Sequence, residues 1–140
     1  MTAEHLAAVF RCPVCDGAFS PRAGRTLACP LGHALDVARE GYVNLVTAQA
    51  KKSKDPGYNV QLMQSRHAFF GTGGYEPAAR AIAELMSTAL PAGGRVLDAG
   101  CGEGYYLRVL REVAPGLDIV GTDLSRSGMR MAARLDPAGA

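Results

Sequence analysis

Apolar residues fall at helical spacing in three stretches of this chain. Val60, Met63 and Phe70, with His67 between them, mark 59–70; Ala79, Ile82, Met86 and Leu90 mark 78–90; Leu107, Leu110 and Val113 follow residue 104. Each predicts a helix, and the second is amphipathic. Pro77 suits the entry of the second, and Pro91-Ala92-Gly93-Gly94 its end. Between the helices lie short continuous apolar runs: Val96-Leu97 reads as a buried strand, and Leu117 to Gly121 as the next. Ser125 is placed to cap a last helix with Met129, Ala132 and Ala133 turned to the sheet. This alternation predicts an α/β arrangement. The first 48 residues differ. Residues 1–10 read as a helical turn or an extended lead-in, and 34–46 alternates in the manner of a strand or hairpin, with little apolar content between. The predicted organisation is a module at 1–48, a polar linker at 49–57 and an α/β part at 58–140.

The chemistry of the second part concentrates where the first strand ends, at Asp98-Ala-Gly100-Cys-Gly102-Glu103-Gly104. Alternating glycines let the backbone turn tightly and come close to a ligand, and the following helix offers unpaired N–H groups. The spacing is one residue tighter than the dinucleotide fingerprint. Asp98 and Glu103 also place carboxylates where a pyrophosphate would sit, so a cationic or zwitterionic ligand fits better. S-adenosylmethionine (SAM), with a sulfonium, an ammonium, a ribose diol and no phosphate, meets that description. Asp123, at the end of the next strand, is placed to accept from ribose hydroxyls; capping of the following helix is its alternative role. Cys101 reads as a space-filler and His67 as a surface or packing histidine.

The first part carries Cys12-Pro-Val-Cys15 and, after thirteen intervening residues, Cys29-Pro-Leu-Gly-His33. Two tight turns supplying Cys12, Cys15, Cys29 and His33 give the four soft ligands of a closed zinc site, which holds a fold and leaves no position for water. A segment so poor in apolar residues needs such a staple.

Composition adds bounds. A net charge of +2 with 20% charged and 48% hydrophobic residues describes a globular chain and argues neither for nor against nucleic acid. No apolar run approaches a membrane span, and the N-terminus lacks a basic region followed by an apolar core, so the expected setting is cytoplasmic with no membrane partner. Lys51, Lys52 and Lys54 either touch phosphates or form the solvated face of a loop.

In order along the chain, the three-cysteine, one-histidine knuckle pair is followed by Glu40-Gly-Tyr-Val-Asn-Leu45, Lys54-Asp-Pro-Gly57 and Met63-x-x-Arg66-x-x-Phe69. Gly73-Gly-Tyr75-x-Pro77 and Leu97-Asp-x-Gly-Cys-Gly-Glu-Gly-Tyr-Tyr106 complete the series. Together they resemble the N-terminal part of the bacterial 23S rRNA (guanine-N1)-methyltransferases. The resemblance implies a small zinc module followed by the first part of a Rossmann-like class I SAM-dependent methyltransferase sheet. It implies zinc at Cys12, Cys15, Cys29 and His33, and SAM contacts at Tyr75, Gly102 and Glu103, with Asp98, Gly100, Gly104 and Asp123 as general elements of that fold. Tyr75 would fold its ring over the glycine turn or lie as a plain hydrophobic lid on the sheet edge. The activity implied is methylation of guanine N1 in a hairpin loop of large-subunit ribosomal RNA, gripped through Arg11, Arg22, Arg25 and the lysines at 51–54. A homodimer is a further expectation. SAM-dependent methylation of a small molecule, or a truncated, non-catalytic zinc module that binds RNA or protein, are the alternatives. Family members are almost twice as long, with a seven-stranded sheet. This chain stops after the second strand and its helix, without a target-base pocket or an assignable proton acceptor. It is therefore expected to be a fragment, a truncated product or a chain completed by a partner, inactive as 140 residues alone.

Overall fold

The structure is a computed structural model that describes residues 1–47 and 57–136. The predicted linker at 49–57, lysines included, lies outside the described residues except for Gly57. The chain divides into two compact units, Met1–Lys54 and Asp55–Ala140.

The first unit opens with helix α1 (Ala3–Val9), whose N-terminus is closed by the Thr2 hydroxyl accepting from the His5 amide. A three-stranded antiparallel sheet follows, in the order β1 (Ser20–Arg22), β2 (Thr26–Ala28), β3 (Ala34–Asp36). Its register pairs Leu27 with Pro21 on one side and Leu35 on the other. A bridge between Val37 and Val43 continues the turnaround that the alternation at 34–46 predicts. The core is small: Leu6, Phe19, Leu27 and Val37 surround Cys12 and Cys29. So few apolar side chains cannot offset the chain entropy of about fifty residues, and the cysteines carry the remainder.

In the second unit, α2 (Val60–Phe70) starts at Asn59, whose side chain accepts from the Leu62 amide, and α3 (Glu76–Ala89) begins with proline in its first turn. Strand β4 (Arg95–Ala99), helix α4 (Tyr105–Val113), strand β5 (Asp118–Thr122) and helix α5 (Arg126–Leu135) complete it. The strands run parallel, Arg95 opposite Asp118 through Ala99 opposite Thr122, as a strand–helix–strand unit requires. Ala79 and Ala83 of α3 meet Leu107 and Leu110 of α4 over Val96 and Ile119. The small alanines, with Met86 and Leu90 beside them, form the buried stripe of α3. Ile82, expected on that stripe, is exposed.

Leu97 departs from expectation as well: it is 59% exposed, although Val96 beside it is buried. Among the described residues β4 pairs with β5 alone, so its other edge and the face carrying Leu97 stay open. A mostly apolar groove of about 300 Å³ runs there between α3 and β4, lined by Ile82, Ala83, Met86 and Leu97 among others.

Helix α5 is positioned by a glycine. A Cβ at Gly128 would stand 2.8 Å from the Gly102 carbonyl oxygen and 3.1 Å from its carbon, backbone atoms that have no rotamer to yield. Gly128→Ala is expected to displace the turn and cost about 1–3 kcal/mol, read as a lower midpoint in urea with an unchanged slope.

Candidate functional site

The metal-ligating side chains converge. The Cys12–Cys15 loop is closed by the Cys12 amide on the Gly17 carbonyl at 2.9 Å and the Asp16 amide on the Cys12 carbonyl at 2.8 Å. The second loop is closed by the Cys29 amide on the His33 carbonyl at 3.0 Å, with Gly32 left-handed. These turns bring the three sulfurs and one histidine nitrogen all within 4.8 Å of one another. Cys15 Sγ lies 3.6 Å from Cys29 Sγ, and His33 Nδ1 lies 3.3 Å from Cys29 Sγ and 3.6 Å from Cys12 Sγ. A tetrahedron with zinc–sulfur bonds of about 2.3 Å has edges of about 3.8 Å, so the donors fit zinc in number, kind and spacing. Burial raises the Cys12 thiol, but the amides of Val14 and Cys15 and the neighbouring sulfurs outweigh it and bring it down to about 7. The thiolate needed for metal is thus accessible near neutrality.

The second candidate site is the turn after β4. Gly100, Gly102 and Gly104 all have positive φ, at 95, 59 and 80°. Their backbone is pinned from β5: the amides of Gly100 and Cys101 both donate to the Thr122 carbonyl, at 2.7 and 3.1 Å. The Asp123 carboxylate holds the other side, accepting from the Gly102 amide at 2.8 Å and from the Ser125 amide at 2.6 Å. Helix capping falls to Ser125, which accepts from Gly128. Asp123 is therefore a clamp between the turn and the last helix, and each of its oxygens retains a second lone pair for a ligand hydroxyl. Helix α4 leaves the turn with no side-chain cap on its N-terminus.

Burial raises the Asp98 carboxyl above the usual carboxylate range, and the negative charge of Asp123 raises it further. The pair is an anionic site short of a cation. Because the folded value is raised, ligand-free stability is fullest below the ordinary carboxylate range and is lost as pH rises through the raised value. Asp98→Asn is therefore expected to raise the melting temperature of the ligand-free protein at neutral pH while weakening a cationic ligand, and the gain shrinks as pH falls. Melting and titration calorimetry across pH check both. Burial, followed by Asp98 and Asp123, pushes the Cys101 thiol up to about 12, which suits a buried filler and not a nucleophile.

Glu103 is placed otherwise than its pairing with Asp98 in the sequence implied. Its side chain is 1% exposed and turned inward, with Oε2 accepting from Arg108 Nη2 at 2.9 Å and facing His67 Nδ1 at 3.2 Å. Arg108 Nη1 also donates to the Glu103 carbonyl at 2.7 Å. Oε1 is buried and has no partner among the described residues. Tyr75 caps the start of α3, is 45% exposed, and its ring meets Phe69 and Phe70 edge-on at 5.5 and 5.6 Å. Phe70 in turn stacks on Tyr105 at 4.5 Å, so an aromatic cluster leads from Tyr75 to the first residue of α4. His67, which the sequence left as a packing residue, ties α2 to the turn through Glu103, and Arg66 beside it was not singled out as a ligand. Their helical spacing with Met63 and Phe70 concealed both.

The left-handed backbone, the under-compensated acids and the clamp at Asp123 fit a ligand with a sulfonium, an ammonium and a ribose diol.

Comparisons with known proteins agree. Residues 10–54 match the family described as "RlmA, N-terminal", a zinc ribbon, and residues 62–138 match the family described as "Methyltransferase domain". A Streptomyces fradiae protein named 23S rRNA (guanine(748)-N(1))-methyltransferase is 36% identical, the match covering 96% of this chain and 47% of that protein. A Bacillus subtilis protein that carries a 23S rRNA (guanine-N(1)-)-methyltransferase name provisionally is 38% identical over 90% of this chain and 46% of its own length. A Micromonospora griseorubida protein with the same provisional name is 35% identical over 91% and 48%. The chain spans about half the length of the curated relatives it matches. SAM and zinc are the cofactors these two domains imply, and the four zinc donors converge. With residues 10–54 matching a zinc ribbon and residues 62–138, more than half of the chain, matching the methyltransferase domain that follows it, the chain belongs to the methyltransferase-domain family.

Proposed function

We infer that the protein takes part in SAM-dependent methylation of guanine N1 in a hairpin loop of large-subunit ribosomal RNA, in the cytoplasm, with this chain supplying the zinc module and the cofactor turn. The observation that carries this reading is the order of a three-cysteine, one-histidine ribbon and an acid-flanked glycine turn, in a chain 36% identical to a protein named for that reaction.

When bound, SAM supplies a methyl carbon already activated by its sulfonium. The residues here bind and orient. Asp98 and Asp123 offer the negative potential that a cationic donor needs, and Asp123 has lone pairs left for the ribose. A donor held by the turn would be oriented for in-line attack, and such positioning is where most of the rate gain of a methyl transfer originates. A guanine N1 that is base-paired is inaccessible, and a loop exposes it at least cost. In the first unit, Arg11, Arg22, Arg25 and Arg39 are exposed, a set suited to phosphates and indifferent to sequence.

The test is transfer from labelled SAM to large-subunit ribosomal RNA by the native protein with its complete chain, followed by nucleoside mass spectrometry. N1-methylguanine confined to one hairpin supports the reading. Label in a small molecule, or at another base, rejects it.

A further inference from the structure

Asp98 and Asp123 would suit the cationic groups of SAM, but a SAM held at this turn would also bring its α-carboxylate toward acids, which calls for a nearby cation. Arg108 is committed to Glu103 through two hydrogen bonds, and His67 faces the same carboxylate. Arg66, on α2, is differently placed. Its guanidinium reaches over the glycine turn, so that a Cβ added to Gly102 would stand 3.7 Å from Nη2 and 3.8 Å from Nε. The Phe70 ring lies 5.2 Å from its central carbon and holds the plane in position. Its Nε is buried, and among the described residues it has neither a hydrogen-bond partner nor a carboxylate paired with it. A buried guanidinium N–H without an acceptor is costly, and a planar donor fork matches a carboxylate better than any single ammonium does.

We propose that Arg66 is a cofactor-binding residue whose guanidinium takes the α-carboxylate of SAM at Gly102. The assignment rests on the SAM reading of the turn. It gives α2 a role beyond packing: Asn59 starts the helix, Met63 lies under Gly128, His67 meets Glu103, and together they carry Arg66 to the turn.

The experiment compares SAM with decarboxylated SAM, which keeps the sulfonium, ammonium and nucleoside and lacks only the carboxylate, by titration calorimetry on the full chain. Wild type, Arg66→Gln and Arg66→Lys are measured with each ligand. Arg66→Gln is expected to weaken SAM about thirty-fold, the worth of a charge-assisted pair, and to leave decarboxylated SAM unchanged. Arg66→Lys should recover part of the SAM affinity. Retained SAM affinity in Arg66→Gln overturns the assignment, as does equal weakening of both ligands, which would make Arg66 a packing residue. If Arg66→Gln binds SAM normally and loses only ribosomal RNA, the residue belongs to a phosphate contact and the assignment falls. Should wild type bind neither ligand, the SAM reading itself fails and takes this one with it.

Discussion

Replacing Cys29 by Ser is expected to abolish zinc retention and unfold the first unit. Cys29 Sγ is the hub of the cluster, in contact with both Cys15 Sγ and His33 Nδ1, and its side chain also belongs to the small core with Leu6, Phe19 and Leu27. Metal binding contributes about 10–16 kcal/mol to the folding of small zinc modules, as much as the gross apolar gain of the few side chains buried around it, so losing it leaves the chain entropy of the unit unopposed. Chelation of the wild-type metal should have the same effect. Zinc content by mass spectrometry and protease sensitivity of residues 1–47 read the result. A Cys29→Ser protein that keeps one zinc per chain and the wild-type digestion pattern would remove the metal site from the account.

The second large effect is expected at Glu103. Its carboxylate is fully enclosed, and Glu103→Ala would leave the Arg108 guanidinium and His67 facing a cavity without their anion. Breaking a buried pair from one side costs about 3–5 kcal/mol; Arg108 is partly exposed and recovers some hydration, which puts the cost near about 3 kcal/mol. In a unit of this size that lowers the melting temperature by about 10 °C or more. Glu103→Gln keeps the shape and should cost less. Equal melting of Glu103→Ala and wild type would mean that the buried carboxylate does not hold the turn to α2.

What could be read from the sequence follows physical locality. The knuckles were legible because each is a self-contained turn whose ligands are fixed by spacing, and Cys12, Cys15, Cys29 and His33 do converge. The strand, glycine turn and helix at 95–113 were legible because apolar periodicity and three glycines coincide there. The errors arise where long-range pairing decides. Leu97 reads as buried because its run is apolar, but its exposure depends on which strands flank β4. Ile82 lies at helical spacing with Ala79, yet the close approach of α3 to α4 selects the alanines. The roles of Glu103, His67 and Arg66 depend on α2 folding back onto a turn about forty residues away, and no local pattern encodes that. Asp123 reads from its position as a ribose acid or a helix cap; its bond to the Gly102 amide is again a contact between distant segments.

The central claim is that the turn at Gly100–Gly104 is a SAM site, and a chain of 140 residues is small enough for its amides to be followed one by one. The measurement is the amide proton–nitrogen correlation spectrum of the zinc-loaded chain, titrated with S-adenosylhomocysteine. Saturable shifts at Gly100, Gly102, Gly104, Tyr105 and Asp123, with the signals of residues 12–33 unmoved, are the expected result. A spectrum unchanged at millimolar ligand, or saturable shifts that map away from the turn, would contradict it.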